Sequence, residues 1–255
     1  MRRADLIVVL VLVALGGFIA VQAARTPRPH AAAAVGAPAA TASAGASSAT
    51  IEVAASGLAA PTRDLTAIRK HIIDNQGGTF IGEILAARDS NVARWPERRD
   101  RPISVWIDER SPLTGADQSL ASNVRRAFVG WGQAGVPLTF TFVSDSAGAE
   151  VKVVFLDHFD EQVSGRTRWI RDPNWWILGG TIQIAIRNRS GYTFNGDQQY
   201  AIALHEVGHL LGLDHTSDTL AIMTPHVRAL ALTSIDVATM RLIYEVPPGT
   251  VKTAK

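Results

Sequence analysis

The sequence predicts an α+β domain over residues 96–248, and three observations carry that prediction. Helix-like and strand-like periodicities are interspersed, without the regular strand–helix–strand alternation of a parallel α/β sheet. Asp172-Pro173-Asn174 is a strong turn signal between two β-rich runs, which therefore form a hairpin. Two later stretches carry helix signals, one with His205 and His209 four residues apart and one opened by Thr233-Ser234-Ile235-Asp236 at capping-box spacing.

The elements follow in chain order. Residues 1–24 begin with Met1-Arg2-Arg3 and continue as an almost unbroken apolar run from Leu6 to Val21. With Val21-Gln22-Ala23 as a small-residue site, this segment suits a cleaved signal peptide. Extended to Ala24 the run is also just long enough to stay as a membrane anchor, so both readings stand. Either one places the rest of the chain outside the cytoplasm, secreted, periplasmic or anchored. Residues 25–60 are rich in Ala, Ser, Thr, Gly and Pro and read as a flexible tether, because so few large apolar side chains cannot offset the entropy of ordering.

Residues 61–95 form a helical pre-region that is also a candidate prosegment. Asp64 caps a helix to about Asn75 with Leu65, Ile68, Ile72 and Ile73 on one face. Gly77-Gly78 interrupts it, and a short helix covers Phe80 to Ala87. Beyond residue 95 the pattern predicts a strand at Ile103–Ile107, a helix from Ser119 to Trp131, and strands at Leu138–Val143 and Val151–Leu156. The hairpin pairs Arg166–Ile170 with Leu178–Arg187, and helices at Asp197–Leu211 and Thr233–Tyr244 complete the domain.

Composition narrows the function. The 255 residues are 47% hydrophobic with a formal net charge of +2, and the arginines are scattered without an aromatic-interleaved basic stripe. That argues against nucleic-acid binding. There is no cysteine, so an exported chain must rely on core packing and bound metal instead of disulfides.

The chemistry is concentrated in His205-Glu206-Val207-Gly208-His209-Leu210-Leu211-Gly212-Leu213-Asp214-His215. Histidines at i and i+4 share one helical face, close enough for both imidazoles to reach one ion. Gly212 sits where the helix must stop and can take positive φ, turning the chain so that His215 approaches the same ion. Three neutral imidazoles leave a fourth tetrahedral position for water, the pattern of a catalytic zinc. Glu206 follows the first ligand and points beside the metal, where it can accept a proton. Asp214 orients the turn, and His226 follows Pro225 in a loop away from the ligands.

This eleven-residue motif is that of the metzincins, and with Thr216 it most resembles the matrixins, the matrix metalloproteinase family; the alanine-rich, arginine-over-lysine composition suits a bacterial member. Ala221-Ile222-Met223-Thr224-Pro225 resembles the family's Met-turn, which implies Met223 as an apolar floor under the ligands. Leu232–Asp236 running to Tyr244 resembles its C-terminal helix, and Ala127-Phe128 to Trp131 with Pro137–Phe140 its first helix and second strand. The resemblance covers about residues 96–246. It implies a metzincin catalytic domain: a twisted mixed β-sheet, an active-site helix and a C-terminal helix. It also implies a zinc endopeptidase with Glu206 as general base and a protein or peptide substrate.

By the same resemblance the substrate strand pairs with Arg166, Thr167, Arg168, Trp169 and Ile170, and Pro225 and Val227 form the wall of the specificity pocket. Calcium is common in matrixins, and Asp145, Asp157, Asp160 and Asp172 are candidate ligands, although no contiguous calcium loop is visible. His158 and Asp160 have the opening spacing of the family's structural zinc site, but no histidine between 158 and 205 completes it. Without cysteine the family's cysteine switch is absent. Phe80-Ile81-Gly82-Glu83 resembles an astacin prosegment motif whose acid occupies the zinc's open position. A catalytically silent zinc-binding adhesion or scaffold module and a non-peptide metallohydrolase remain as alternatives.

Overall fold

The computed structural model describes residues 42–43, 51–116 and 119–252. The apolar run at residues 6–21 and most of the tether lie outside them. Among the described residues no helix is long and apolar enough to cross a membrane.

A six-stranded mixed sheet forms the frame. Its strands are β2 (Ile51–Val53), β4 (Arg98–Ile107), β5 (Leu138–Val143), β6 (Val151–Leu156), β7 (Gly165–Arg171) and β8 (Ile177–Ala185), in the spatial order β2-β7-β8-β6-β4-β5. Strands β8, β6, β4 and β5 run parallel to one another. Strand β7 turns back on β8 as an antiparallel hairpin, with Thr167 opposite Ile182 and Trp169 opposite Gly180. The hairpin turn is held by Asp172, whose buried carboxylate accepts from the Asn174 and Trp176 amides, both at 2.9 Å.

Helix α4 (Ser119–Gln133) and helix α5 (Gly196–Leu210) pack on each other, and α5 lies against β7 and β8. Helix α4 turns Leu120, Val124, Ala127, Phe128 and Trp131 inward at helical spacing. Helix α5 is buried nearly all round, as expected of a helix that crosses the centre of a domain. Asn195 starts it with a capping box to Gln198. Helix α6 (Ser234–Glu245) closes the C-terminal side, and its Thr233–Asp236 capping box is present. The short helix α3 (Pro112–Ala116) precedes α4.

The N-terminal segment departs from its expected character. Helices α1 (Leu65–Asn75) and α2 (Ile81–Ala87) form close to the expected bounds, with Asp64 accepting from the Thr66 and Ala67 amides. Their side chains Ile68, Ile72, Ile81 and Ile84 are buried in the same core as the sheet. Within the predicted tether, Ile51–Val53 pairs parallel with Trp169–Arg171, and the Ala54 amide donates to Arg171 O at 2.9 Å. Residues 51–54 of the expected tether are thus bound to the sheet edge, while 55–60 carry no regular secondary structure. An open sheet edge recruits a strand through backbone bonds, which need no large apolar side chains. Two short ladders complete the pairing: β1 (Ala42–Ser43) with β9 (His226–Val227), and β3 (Asn91–Val92) with β10 (Gly249–Thr250).

Candidate metal centre

The three histidines of the motif meet. His205 and His209 project from one face of α5, and His215 approaches from the segment beyond its end. The ring centroids lie 4.6, 4.8 and 5.3 Å apart. One nitrogen from each falls within 4.8 Å of the others, the single such cluster of His, Cys, Asp and Glu ligand atoms among the described residues.

The orientation of each ring is set by its other nitrogen. His205 Nδ1 lies 2.7 Å from Ile222 O and His209 Nδ1 lies 3.1 Å from Leu213 O. A carbonyl only accepts, so both Nδ1 atoms carry the proton and both Nε2 atoms hold lone pairs. His205 Nε2 is buried with no partner in the protein. His209 Nε2 and His215 Nε2 stand 3.2 Å apart. Two nitrogens each about 2.1 Å from one tetrahedral ion lie about 3.4 Å apart, so this donor set fits zinc. Burial, reinforced by His215, holds His205 down at about 3, and burial likewise lowers His209 and His215. Neutral imidazoles are what a metal requires.

The end of α5 is pinned by aromatic donors. The last carbonyls of a helix lack i+4 amide partners. Of those on His209, Leu210 and Leu211, only His209 O keeps a backbone bond, from the Gly212 amide at 3.0 Å, and all three take side-chain donors. They accept from Trp169 Nε1 at 2.9 Å, Trp95 Nε1 at 2.9 Å and Tyr244 Oη at 3.0 Å. Gly212 then takes φ of +107°, and a Cβ there would meet Ala93 O at 2.3 Å, so only glycine makes this turn. Met223 is fully buried, so close to Gly208 that a Cβ on that glycine would meet its sulfur at 2.4 Å. The buried Asp236 carboxylate accepts from the Ile222 amide at 3.0 Å and ties the turn that also holds His205.

Glu206 is 1% exposed and lies under β7. Thr167 Oγ1 is 2.7 Å from its Oε2 and 2.9 Å from its carbonyl oxygen. Gly165 leaves the space that the carboxylate fills, since a Cβ there would meet Glu206 Oε1 at 2.3 Å. Burial pushes the Glu206 carboxyl up to about 8, opposed by the Thr167 bond and by Arg166. A dication beside it would draw that value back down.

The remaining residues divide. Alternation along β7 turns Gly165, Thr167 and Trp169 toward α5, and leaves Arg168 and Ile170 exposed. Trp169 is a core residue, 1% exposed with its indole donating to His209 O, and its backbone edge is taken by Ile51 of β2. Arg166 pairs with Glu161 at 3.1 Å. Val227 is buried on β9, which packs against α5, and Pro225 just before it is half-buried. His226 is exposed on β9. The four candidate calcium aspartates do not gather round one point: Asp157 pairs with Arg187 and His158, and Asp172 is occupied by its own turn.

Sequence reasoning missed Arg88, Ala93 and Trp95, which brace the turn after α5, and Gly165, which seats Glu206. Glu83 does not reach the metal position. Its two oxygens accept from Thr216 Oγ1 at 2.9 Å and from the Ser217 amide at 2.8 Å.

The chain is similar to known metalloendoproteinases. The chain is 28% identical to Metalloendoproteinase 2-MMP of Arabidopsis thaliana over 177 residues, 61% of this chain and 44% of that protein. It is 28% identical to Metalloendoproteinase 1 of Glycine max over 159 residues, 54% of this chain and 50% of that protein. With Interstitial collagenase of Oryctolagus cuniculus it shares 33% identity over 140 residues, 52% of this chain and 28% of that protein. The chain thus spans half or less of the length of these relatives. Residues 94–245 match the family model described as Matrixin, a zinc-dependent peptidase family, and the chain belongs to the matrixins.

Proposed function

We propose that this chain is a zinc-dependent endopeptidase that hydrolyses peptide bonds of proteins outside the cytoplasm, with Glu206 as general base. The carrying observation is a buried Glu206 seated by Thr167 beside three converging, neutral histidines. His205, His209 and His215 would hold the ion through their Nε2 atoms. Bound there, zinc supplies Lewis acidity that polarises the scissile carbonyl and makes water a competent nucleophile near neutral pH.

Glu206 accepts the proton of the attacking water and later delivers it to the departing amine. Thr167 holds that carboxylate in place by donating its hydroxyl to Oε2 at 2.7 Å. The substrate lies extended along β7, adding a strand through backbone bonds. On that edge Trp169–Arg171 is covered by β2, so the open stretch is Gly165–Arg168. Val227 and Pro225 line the pocket for the residue after the cut. The apolar run at residues 6–21 supports an extracytoplasmic location, by cleavage or by retained anchoring.

The test is hydrolysis of a diverse peptide mixture by the full chain with zinc, beside Glu206→Ala and beside chelator-treated protein. Cleavage lost in the variant and in the chelated sample, and restored by zinc, is the expected result. Zinc binding without cleavage of any peptide would favour the scaffold module or a non-peptide substrate.

A further inference from the structure

His205 and His209 inherit their positions from a helix, but His215 does not. It sits in residues 212–217, which have no regular secondary structure. What positions it comes from before the family-matched region. Arg88, at the end of α2, places its guanidinium against three successive residues of this segment. Nη1 donates to Gly212 O at 2.6 Å, Nη2 to Leu213 O at 2.7 Å, and Nε to Asp214 Oδ2 at 3.0 Å. The other oxygen of Asp214 accepts from the His215 amide at 2.9 Å. Leu213 O is also the acceptor for His209 Nδ1, so one guanidinium reaches two ligands through one carbonyl and one carboxylate. The Arg88 side chain is 7% exposed and stacked 4.5 Å over the Trp169 ring, so it is fixed on its other face. Glu83, one turn earlier on α2, grips Thr216 and Ser217 on the far side of His215.

We propose that Arg88, assisted by Glu83, is a positioning residue for the metal centre, so that residues 80–95 are part of the site's frame and not a removable inhibitory prosegment. The inference rests on the zinc reading above. A planar fork that satisfies three differently placed acceptors is a task for arginine, and lysine, a single point charge, cannot span them. Partners that orient metal ligands typically change metal affinity by about ten- to a hundredfold when removed.

The experiment uses the full chain and its Arg88→Met, Arg88→Lys, Glu83→Gln and Ile72→Ala variants. Ile72, buried in α1, serves as a control for general loss of stability. Three quantities are measured: the zinc dissociation constant by competition with a chromogenic chelator, the d–d absorption of the cobalt(II)-loaded protein, and the unfolding temperature without metal. Arg88→Met is expected to weaken zinc binding by about tenfold or more and to alter the cobalt spectrum. Arg88→Lys should recover part of the loss, Glu83→Gln should weaken binding by about threefold, and Ile72→Ala should lower only the unfolding temperature. Arg88→Met and Glu83→Gln binding zinc within twofold of wild type, with unchanged cobalt spectra, would overturn the proposal while leaving the zinc reading intact. If Arg88→Met does not fold, Arg88→Lys and Glu83→Gln decide by the same readouts. Wild-type protein that binds no zinc would overturn both readings together.

Discussion

Helix α5 and the segment 51–95 meet at the same place, the turn at residues 210–217, and they reach it by different means. In α5 the ligands are four residues apart on one face, so the helix itself brings them together. The earlier segment contributes no ligand. It supplies Glu83, Arg88, Ala93 and Trp95, each touching a different point of the turn. Ligand identity is thus encoded locally, while ligand position depends on polar bonds between parts of the chain more than a hundred residues apart.

That contrast can be broken in graded steps. The largest effect belongs to the local motif. Glu206→Gln should cut kcat by about a thousandfold while zinc content, read by atomic absorption, stays at one per chain. Gly165→Ala acts from the sheet side. Its Cβ would displace the Glu206 carboxylate, and a misplaced base should cost about a hundredfold in kcat with zinc affinity unchanged, as steady-state kinetics and chelator competition would register. If Gly165→Ala behaves like wild type, β7 does not set the base.

Smaller effects sharpen the view of the bracing contacts. Trp169→Phe keeps the ring but removes the donor to His209 O, and should cost about 1 kcal/mol in denaturant unfolding. Ala54→Pro removes the amide that bonds Arg171 O and loosens β2 from the β7 edge. Substrates long enough to pair there should show KM lowered by about threefold, with kcat unchanged, and short peptides no change. The smallest effect concerns acid stability. Although its partial burial acts the other way, the Arg98 and Ser104 bonds hold Glu150 below the usual carboxylate range. A depressed folded-state value stabilises above the unfolded value and is lost as pH falls through the folded one. Glu150→Gln should therefore lower the unfolding temperature slightly at neutral pH, and the two proteins should converge well below pH 4.5.

Much of this molecule is legible in its sequence. The bounds of β5 and β6, the Asp172 turn and both late helices follow from periodicity, caps and turn residues, which are local signals. The convergence of the three histidines and the turn at Gly212 follow from spacing. Arg88 was not legible, because one arginine after a short helix carries no pattern until its partners at 212–214 are folded beside it. The inward side of β7 is not legible either, because strand alternation sets Trp169 opposite to Arg168 without saying which face meets α5. Ile51–Val53 was hidden for a third reason: a strand added to an edge is held by its backbone, and composition does not report on backbone bonds.

Whether His205, His209 and His215 hold one zinc ion is read by zinc K-edge X-ray absorption on the full chain loaded with one equivalent of zinc, beside His215→Ala. Three imidazole nitrogens and one oxygen at about 2.0–2.1 Å are expected in the wild type, and two imidazoles in the variant. A carboxylate-rich or six-coordinate shell that His215→Ala leaves unchanged would contradict this ligand set.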